Sequence, residues 1–317
     1  MISLIDSHGR SINYLRISVT DRCNLRCYYC MPPQGVTPVR HSDVLRYEEI
    51  VEIARAALAC GFTKFRLTGG EPLLRAGVLD LARDLARLPG LSSLTMTTNG
   101  TLLEKFARAL REAGVQRLNV SLDALDSDLY RRITRGGDIR MVLRGIEAAR
   151  SAGFEGTKIN TVMIKGTNED EIPAFVRYSA ETGTQIRFIE KMPFPEIPGE
   201  GLTGAEVRQR IEQLVELSPE EDPSAPRVRA FTASNGGRFA FISPVTDSFC
   251  VSCNRLRLTS TGFLRQCLLC ETGVDLRAIV RSGRDQAALR KAIREAVLLK
   301  PLTPQGTVES AMNQIGG

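Results

Sequence analysis

Several residue types and patterns are scarce in this sequence of 317 residues. Tryptophan is absent and there are two histidines, His8 and His41, so histidine-based metal centres and catalytic triads are nearly excluded by count. No apolar run approaches the roughly 18 residues that cross a bilayer, and residues 1–6 lack the basic and apolar regions of a secretory signal. We therefore expect a cytoplasmic protein with no membrane partner.

The positive charge is modest and scattered. The net charge is +6, but the basic residues form no run, and the aromatic residues (6%) do not interleave with them as a base-stacking surface requires. This pattern disfavours a nucleic-acid partner and favours a phosphate-bearing small molecule. The eight cysteines are mostly clustered, which indicates metal binding in a reducing compartment rather than disulfides.

From about residue 10 to residue 190, short β-like runs alternate with amphipathic helical stretches. The predicted strands are Tyr14–Val19, Lys64–Thr68, Leu94–Thr98, Arg117–Leu122, Lys158–Ile164 and Gln185–Glu190. The predicted helices are Tyr47–Cys60, Val78–Leu88, Leu102–Ala113, Arg140–Ala152 and Asp170–Glu181. Such alternation predicts an α/β fold of parallel βαβ units and suits a partial (β/α)6 barrel; a doubly wound sheet has the same alternation and stays open as an alternative.

The proline-rich segment 192–199 interrupts this pattern. After it we predict a helix over Gly204–Leu217 and a linker over Ser218–Pro226. The remaining predicted strands are Arg227–Phe231, Arg238–Ile242, Arg255–Thr259 and Phe263–Leu268, and the remaining helices are Val274–Ser282 and Asp285–Leu299. We therefore expect a barrel domain over residues 1–215 and a smaller α+β domain over residues 216–317.

Three cysteines, Cys23, Cys27 and Cys30, follow the first predicted strand with the spacing C-x3-C-x2-C. Three thiolates can hold a 4Fe–4S cluster and leave one iron open for a cosubstrate. A zinc site or three unrelated thiols are the alternatives, although zinc usually takes four ligands. The spacing, with Tyr29 before the last cysteine, resembles the signature of radical S-adenosylmethionine (SAM) enzymes. That resemblance implies that SAM binds the open iron and is cleaved to a 5′-deoxyadenosyl radical.

Further motifs stand at the carboxyl ends of predicted strands, where the loops of a barrel form the active site. The glycine turn Gly69-Gly70-Glu71-Pro72 resembles the radical SAM element that cradles the amino group of SAM. Thr97 and Ser121 fall where that family places contacts to the ribose and carboxylate of SAM, and Met192 falls where it contacts the adenine. As isolated features, these residues would also fit ordinary turns, helix N-caps and core packing.

Five cations lie within otherwise apolar strand patterns, where a charge is costly unless it reaches solvent or a partner. They are Arg16, Lys64, Arg66, Lys158 and Arg187. Any one of them could extend to solvent from an outer face. Together they favour a convergent site for a polyanion, because guanidinium groups bind phosphate in a bidentate manner.

A second group of cysteines, Cys250, Cys253 and Cys267, has the spacing C-x2-C-x13-C, and Arg255 and Arg257 lie between its second and third members. Here the chain resembles the GTP 3′,8-cyclase family of molybdenum cofactor biosynthesis. The segments that carry the resemblance are Leu15–Asn24, Arg187–Glu190, Cys253–Thr259 and Gln314–Gly317. The resemblance implies a second 4Fe–4S cluster, held by these three cysteines, whose open iron binds the guanine of GTP.

The family resemblance also implies a reaction and a set of partners. The adenosyl radical removes hydrogen from C3′ of GTP, the resulting carbon radical adds to C8, and the aminyl-type radical so formed takes up an electron and a proton. The product of this lyase reaction is 3′,8-cyclo-7,8-dihydro-GTP. A reducing electron donor and a downstream cyclic pyranopterin monophosphate synthase are implied, whereas monomer and homodimer stay open. The residues expected at GTP are Arg16, Lys64, Arg66, Thr97, Lys158, Arg187, Arg255, Arg257, Gly316 and Gly317, with Arg16, Arg255 and Arg257 as the catalytic candidates.

Cys270 departs from this pattern because it extends the spacing to C-x2-C-x13-C-x2-C, close to a zinc ribbon. As a fourth ligand it would close the iron that should bind guanine; otherwise it is a free thiol turned away. Two other classes stay as alternatives. One is a radical SAM peptide maturase with an auxiliary cluster, and the other is a zinc-ribbon protein that binds nucleic acid.

Overall fold

A computed structural model describes residues 4–194, 199–221, 229–283, 285–303 and 312–315. The strands are β1 (Tyr14–Ser18), β2 (Lys64–Thr68), β3 (Ser93–Thr98), β4 (Arg117–Ser121), β5 (Lys158–Met163), β6 (Gln185–Glu190), β7 (Leu217–Glu220), β8 (Arg229–Ala233), β9 (Arg238–Ile242), β10 (Arg255–Leu258), β11 (Phe263–Arg265) and β12 (Gly273–Asp275). The α-helices are α1 (Tyr47–Ala59), α2 (Val78–Ala86), α3 (Leu103–Glu112), α4 (Ser127–Thr134), α5 (Ile139–Ser151), α6 (Ile172–Thr182), α7 (Gly204–Glu212), α8 (Leu276–Arg281), α9 (Gln286–Leu298) and α10 (Met312–Ile315). Short 3₁₀ turns cover His41–Asp43, Pro72–Leu74, Glu169–Glu171 and Cys250–Ser252.

The first six strands are parallel and stand side by side in chain order, from β1 to β6. In a doubly wound sheet the order would reverse at a switch point. Here every crossover moves in one direction, and right-handed crossovers then place the connecting helices on the same face. The expected partial (β/α)6 barrel is therefore confirmed. The face of the sheet opposite the helices lines a cavity.

The strands after residue 215 extend both edges of this sheet. β9 pairs in parallel with β6, and β8 and β7 follow it, whereas β10 pairs in parallel with β1 and is followed by β11 and β12. One twelve-stranded sheet thus runs through the part of the chain that the structure describes. The domain boundary near residue 215 stays a prediction.

Local expectations differ from the structure in several places. The helix predicted to reach Leu217 ends at Glu212, and residues 217–220, predicted as helix end and linker, form β7 opposite β8. β11 ends at Arg265, and residues 273–275, partly predicted as helix, form the edge strand β12. α4 was not predicted, because its eight residues are shorter than the window in which helical periodicity stands out. The remainder of the predicted linker, residues 222–226, lies outside the described residues.

Strict alternation along the central strands sorts apolar from polar side chains. In β1, Leu15 and Ile17 are buried against the helices, whereas Tyr14 and Arg16 lie on the opposite face. β2 repeats the pattern with Lys64 and Arg66, and β10 repeats it with Arg255 and Arg257. Because side chains of a strand alternate between faces, these cations all lie on the cavity side of the sheet. None of the described helices is long and apolar enough to cross a membrane.

Candidate active site

The cavity on the inner face of the sheet has a volume of about 400 Å³. Its walls come from both parts of the chain and combine cations, small polar groups, apolar side chains and thiols. The predicted site residues that line it are Arg16, Tyr29, Lys64, Arg66, Thr97, Ser121, Arg187, Met192, Cys250, Cys253, Arg255, Arg257 and Cys267. Elements far apart in the sequence thus converge on one pocket.

Two rows of side chains, nearly all of them cations, cross the strands β10, β1 and β2. Arg257, Arg16 and Arg66 are successive register partners in one row. Arg255, Tyr14 and Lys64 form the row beside it. Neighbouring strands lie about 4.8 Å apart, so this arrangement concentrates positive charge on a small area of the wall.

Burial makes this concentration of charge unfavourable without an anion. Burial and then the neighbouring Arg257 hold the pKa of Arg16 well below its usual range. Burial, followed by Arg255, lowers the pKa of Arg257 to about 10. A ligand with several phosphate charges would relieve both effects, because it supplies opposite charge and hydrogen-bond acceptors together.

The remaining predicted contacts occupy the next strands of the same face. Arg66 Nη1 donates a hydrogen bond of 3.0 Å to Thr97 Oγ1, which ties β2 to β3. Arg187 Nε donates to Gln185 Oε1 at 3.0 Å on β6. Lys158 does not line the cavity. It shares a face of β5 with Asn160 and Val162, and these two residues do line the cavity.

The loop with Cys23, Cys27 and Cys30 follows β1 and is held by the helix that the sequence did not predict. The backbone N–H groups of Arg26 and Tyr28 donate to the carbonyls of Thr134 and Ile133, at the end of α4. Burial raises the pKa of the Cys27 thiol, and Asp123, Cys30 and Cys23 raise it further. The three sulfurs are thus close enough to repel one another as thiolates. A bound metal cation would replace this repulsion by attraction and would favour the deprotonated thiols.

The glycine turn is built against the segment that leads into Cys23. The N–H of Gly70 donates to the carbonyl of Thr20, and the N–H of Glu71 donates to the carbonyl of Arg22, both at 2.8 Å. A Cβ at position 70 would lie 2.3 Å from the Arg22 carbonyl oxygen, so only glycine fits. This turn therefore fixes the position of the cysteine loop.

Glu71 is fully buried and its carboxylate is occupied within the protein. It accepts hydrogen bonds from Thr98 Oγ1 at 2.8 Å, from the N–H of Asn99 at 2.7 Å and from the N–H of Leu73 at 3.1 Å. Burial raises its pKa to about 7, although these bonds oppose the shift. In this structure the side chain joins the ends of β2 and β3, and it does not line the cavity.

Cys250, Cys253 and Cys267 line the cavity beside Arg255 and Arg257, whereas Cys270 does not. Cys270 is buried, and its sulfur lies 2.8 Å from Thr272 Oγ1, which in turn donates to Gln266 Oε1 at 2.9 Å. Of the two alternatives for Cys270, the structure favours a thiol turned away from the other three.

Among the cavity residues that the sequence did not predict as part of the site are Asp123, Lys300 and Tyr14. Asp123 accepts a hydrogen bond of 2.6 Å from the hydroxyl of Tyr29, and burial raises its pKa to about 6. Lys300 is almost fully buried and donates to the carbonyl of Gln266 at 2.6 Å. Tyr14 accepts a hydrogen bond from Arg66 Nε. Asp123 directly follows a predicted strand and could have been found; Lys300 and Tyr14 carry no local signal.

Gly316 and Gly317 lie outside the described residues. The short helix α10 precedes them, and its Met312 lines the cavity. The N–H of Met312 donates to the carbonyl of Cys30 at 3.3 Å. The described part of the C-terminal segment therefore returns to the first cysteine loop.

Comparison with known proteins agrees with this architecture. The family model of the radical SAM superfamily matches residues 17–178, and that of Molybdenum Cofactor Synthesis C matches residues 184–305. The crystal structure of Streptococcus suis SuiB bound to S-adenosylmethionine has a TM-score of 0.63, covers 89% of this chain and 68% of SuiB, and is 17% identical, so it supports the fold alone. The barrel and its family match define a radical SAM protein.

The sequence relatives narrow this class. The GTP 3′,8-cyclase of Geobacter sulfurreducens is 47% identical over 305 residues, covering 95% of this chain and 93% of the relative. That of Thermodesulfovibrio yellowstonii is 45% identical over 323 residues, covering 98% and 99%. The chain belongs to the GTP 3′,8-cyclase family, and the family resemblance noted in the sequence is confirmed.

Proposed function

We propose that this protein is a GTP 3′,8-cyclase, a lyase that converts GTP to 3′,8-cyclo-7,8-dihydro-GTP in molybdenum cofactor biosynthesis. The observation that carries the proposal is the row Arg257, Arg16 and Arg66, which borders three cavity-lining cysteines. A nucleoside triphosphate supplies both of the features that this wall would bind, namely a polyanion and a base with ring nitrogens. The shared name of the nearly full-length relatives supports the same reaction.

Two groups of three thiols fit two 4Fe–4S clusters. Cys23, Cys27 and Cys30 would hold the first, and their loop is fixed by backbone hydrogen bonds on both sides. Cys250, Cys253 and Cys267 would hold the second, which borders the arginine rows. The first cluster, when bound, supplies the electron that cleaves SAM to the radical that removes hydrogen from C3′ of GTP.

The protein side chains bind and orient the two substrates in this proposal. Arg16, Arg255 and Arg257 would hold GTP at the centre of the wall. Lys64, Arg66, Thr97, Lys158 and Arg187 would complete the GTP site from β2 to β6. Tyr29, Gly69, Gly70, Ser121 and Met192 would form the SAM site, and Glu71 would support it by joining the ends of β2 and β3. Fixing C3′ and C8 within one enclosed cavity favours ring closure, because it removes the entropic cost of bringing them together.

Further assignments rest on the same family membership. An external reductant would supply electrons, a cyclic pyranopterin monophosphate synthase would use the product, and the cytoplasm would provide the reducing surroundings that the cysteines need. Gly316 and Gly317 would extend toward GTP from α10, in keeping with the contact between Met312 and Cys30.

The test is anaerobic reconstitution with iron and sulfide, followed by incubation with SAM, dithionite and GTP and mass spectrometry of the products. A product isomeric with GTP, formed together with 5′-deoxyadenosine, is expected. Formation of 5′-deoxyadenosine with GTP left unchanged would contradict the cyclase and keep only the radical SAM class. ATP in place of GTP is the matched control, because it has the same triphosphate and a different base.

A further inference from the structure

Tyr14 differs from the other five tyrosines of the chain because its side chain lies among several cations. It lies at the start of β1, between register partners Arg255 on β10 and Lys64 on β2. Its hydroxyl accepts a hydrogen bond from Arg66 Nε, and the Nη1 of the same guanidinium donates to Thr97 Oγ1. Tyr14 and Thr97 thus hold Arg66 from two sides, at the wall of the cavity.

The charges that face Tyr14 come from all three strands packed around it. They are Arg16 on its own strand, Lys64 and Arg66 on β2, and Arg255 and Arg257 on β10. Burial opposes ionisation of the phenol, but Arg66, Arg16 and Arg255 together lower its pKa to about 7. The other five tyrosines all have raised pKa values, chiefly because they are buried.

We propose that Tyr14 is a further substrate-positioning residue: its hydroxyl orients Arg66 in the free enzyme and takes up a proton from solvent when the triphosphate binds. The inference rests on the proposed function, because it takes the anion in this cavity to be GTP. The physical reason is competition for the same cations. A phenolate partly neutralises the arginines of the empty site, and the phosphates would then repel it unless it becomes neutral.

The proton uptake has a definite sign. Below the pKa of Tyr14 in the free protein the phenol is already neutral, and GTP binding needs no proton. Above it, binding must bring one proton from solvent, so affinity falls by up to about tenfold for each pH unit. The titration of GTP itself is the same for every variant and cancels when variants are compared.

The first measurement follows absorbance at 295 nm of the reconstituted protein between pH 6 and 9, as the difference between the wild type and Tyr14→Phe. The cluster absorbance cancels in this difference. One tyrosine should titrate near pH 7 in the wild type and be missing in Tyr14→Phe, whereas Tyr178→Phe, a half-buried tyrosine on α6 outside the cavity, should keep it. Absence of any tyrosine titration below pH 9 in the wild type overturns the proposal.

The second measurement is the Kd of GTP at pH 6.5 and pH 8.5 by equilibrium dialysis, with inorganic tripolyphosphate as a second probe. In Tyr14→Phe the decline of affinity between these pH values should be at least several-fold smaller than in the wild type. The same decline in both proteins overturns the proposal. If GTP is bound but not cyclised while the decline still depends on Tyr14, the cyclase assignment fails and the anion linkage stands.

Discussion

Arg16 and Arg257 are direct register partners on the adjacent parallel strands β1 and β10, although they come from opposite ends of the sequence. Arg257 is buried and Arg16 is half-buried, and burial followed by the charge of Arg257 lowers the pKa of Arg16. An arrangement of like charges on one wall is costly in a protein without a ligand. We therefore infer that this pair of arginines serves ligand binding and does not stabilise the fold.

Replacing Arg257 by methionine should separate the role of this arginine in GTP binding from its effect on folding stability. Each lost charge-assisted hydrogen bond costs about 1.5–3 kcal/mol, so GTP cyclisation should fall by about 10- to 100-fold per bond. The thermal midpoint should stay equal or rise, because a buried like charge is removed. Arg108→Met, at an arginine that is 90% exposed on α3, is the control and should change neither quantity. An equal loss of cyclisation and of 5′-deoxyadenosine formation would contradict the assignment of Arg257 to GTP.

Cys270 and Cys267 should respond differently to the same substitution. Cys267→Ser removes a cavity thiol and should lower the iron content of the reconstituted protein by about half, because one of two four-iron clusters loses a ligand. Cys270→Ser should keep the iron content, since serine can still donate to Thr272 Oγ1. Iron and sulfide analysis with electron paramagnetic resonance measures both variants. Loss of iron in Cys270→Ser would identify Cys270 as a ligand after all.

Lys300 places a buried positive charge beside the second group of cysteines. Burial opposes ionisation of Cys253, but Lys300 and then Arg255 and Arg257 lower the pKa of its thiol. A nearby cation favours the more negative, reduced form of a cluster, so Lys300→Met should shift the second cluster's reduction potential to more negative values.

The matched control for Lys300 is Lys291→Met on α9, where the lysine is 79% exposed. It should leave both potentials unchanged, and Lys300→Met should leave the potential of the first cluster unchanged. Redox titration followed by electron paramagnetic resonance distinguishes the two clusters. An unaltered second potential in Lys300→Met would show that the ammonium only supports the Gln266 carbonyl.

Local patterns were sufficient for the six parallel strands, because each has alternating or continuous apolar residues and is separated from the next by a helix of clear period. They also identified the cations, since a charge within a strand is conspicuous. The pairing of β10 with β1 could not be predicted, because it joins segments whose neighbours are decided only by tertiary packing. For the same reason Tyr14 and Lys300 were missed: each is ordinary in its own segment and acquires a role from strands or loops far away.

The ion pair between Asp6 and Arg10 should be important for stability, because Arg10 joins the N-terminal segment to the residues that follow α9. Asp6 Oδ2 lies 2.6 Å from Arg10 Nε, and the guanidinium also donates to the carbonyls of Cys250 and Pro301, both at 2.8 Å. Burial disfavours the charged carboxylate, but the hydrogen bonds from Arg10 and from the N–H of His8 lower the pKa of Asp6 below its usual value. The folded state thus prefers the ionised form.

Asp6→Asn leaves Arg10 buried without its carboxylate and should lower the free energy of unfolding by about 3–5 kcal/mol at pH 7. The contribution of Asp6 is complete above its unfolded pKa of about 3.9 and disappears as pH falls through the lower folded value. The gap between wild type and variant should therefore narrow below pH 4. Urea unfolding at pH 7 and pH 3.5 measures it, with Glu112→Gln, in an exposed pair with Arg108, as a control that should change little. A gap that is the same at both pH values would show that the asparagine acts through packing, not through charge.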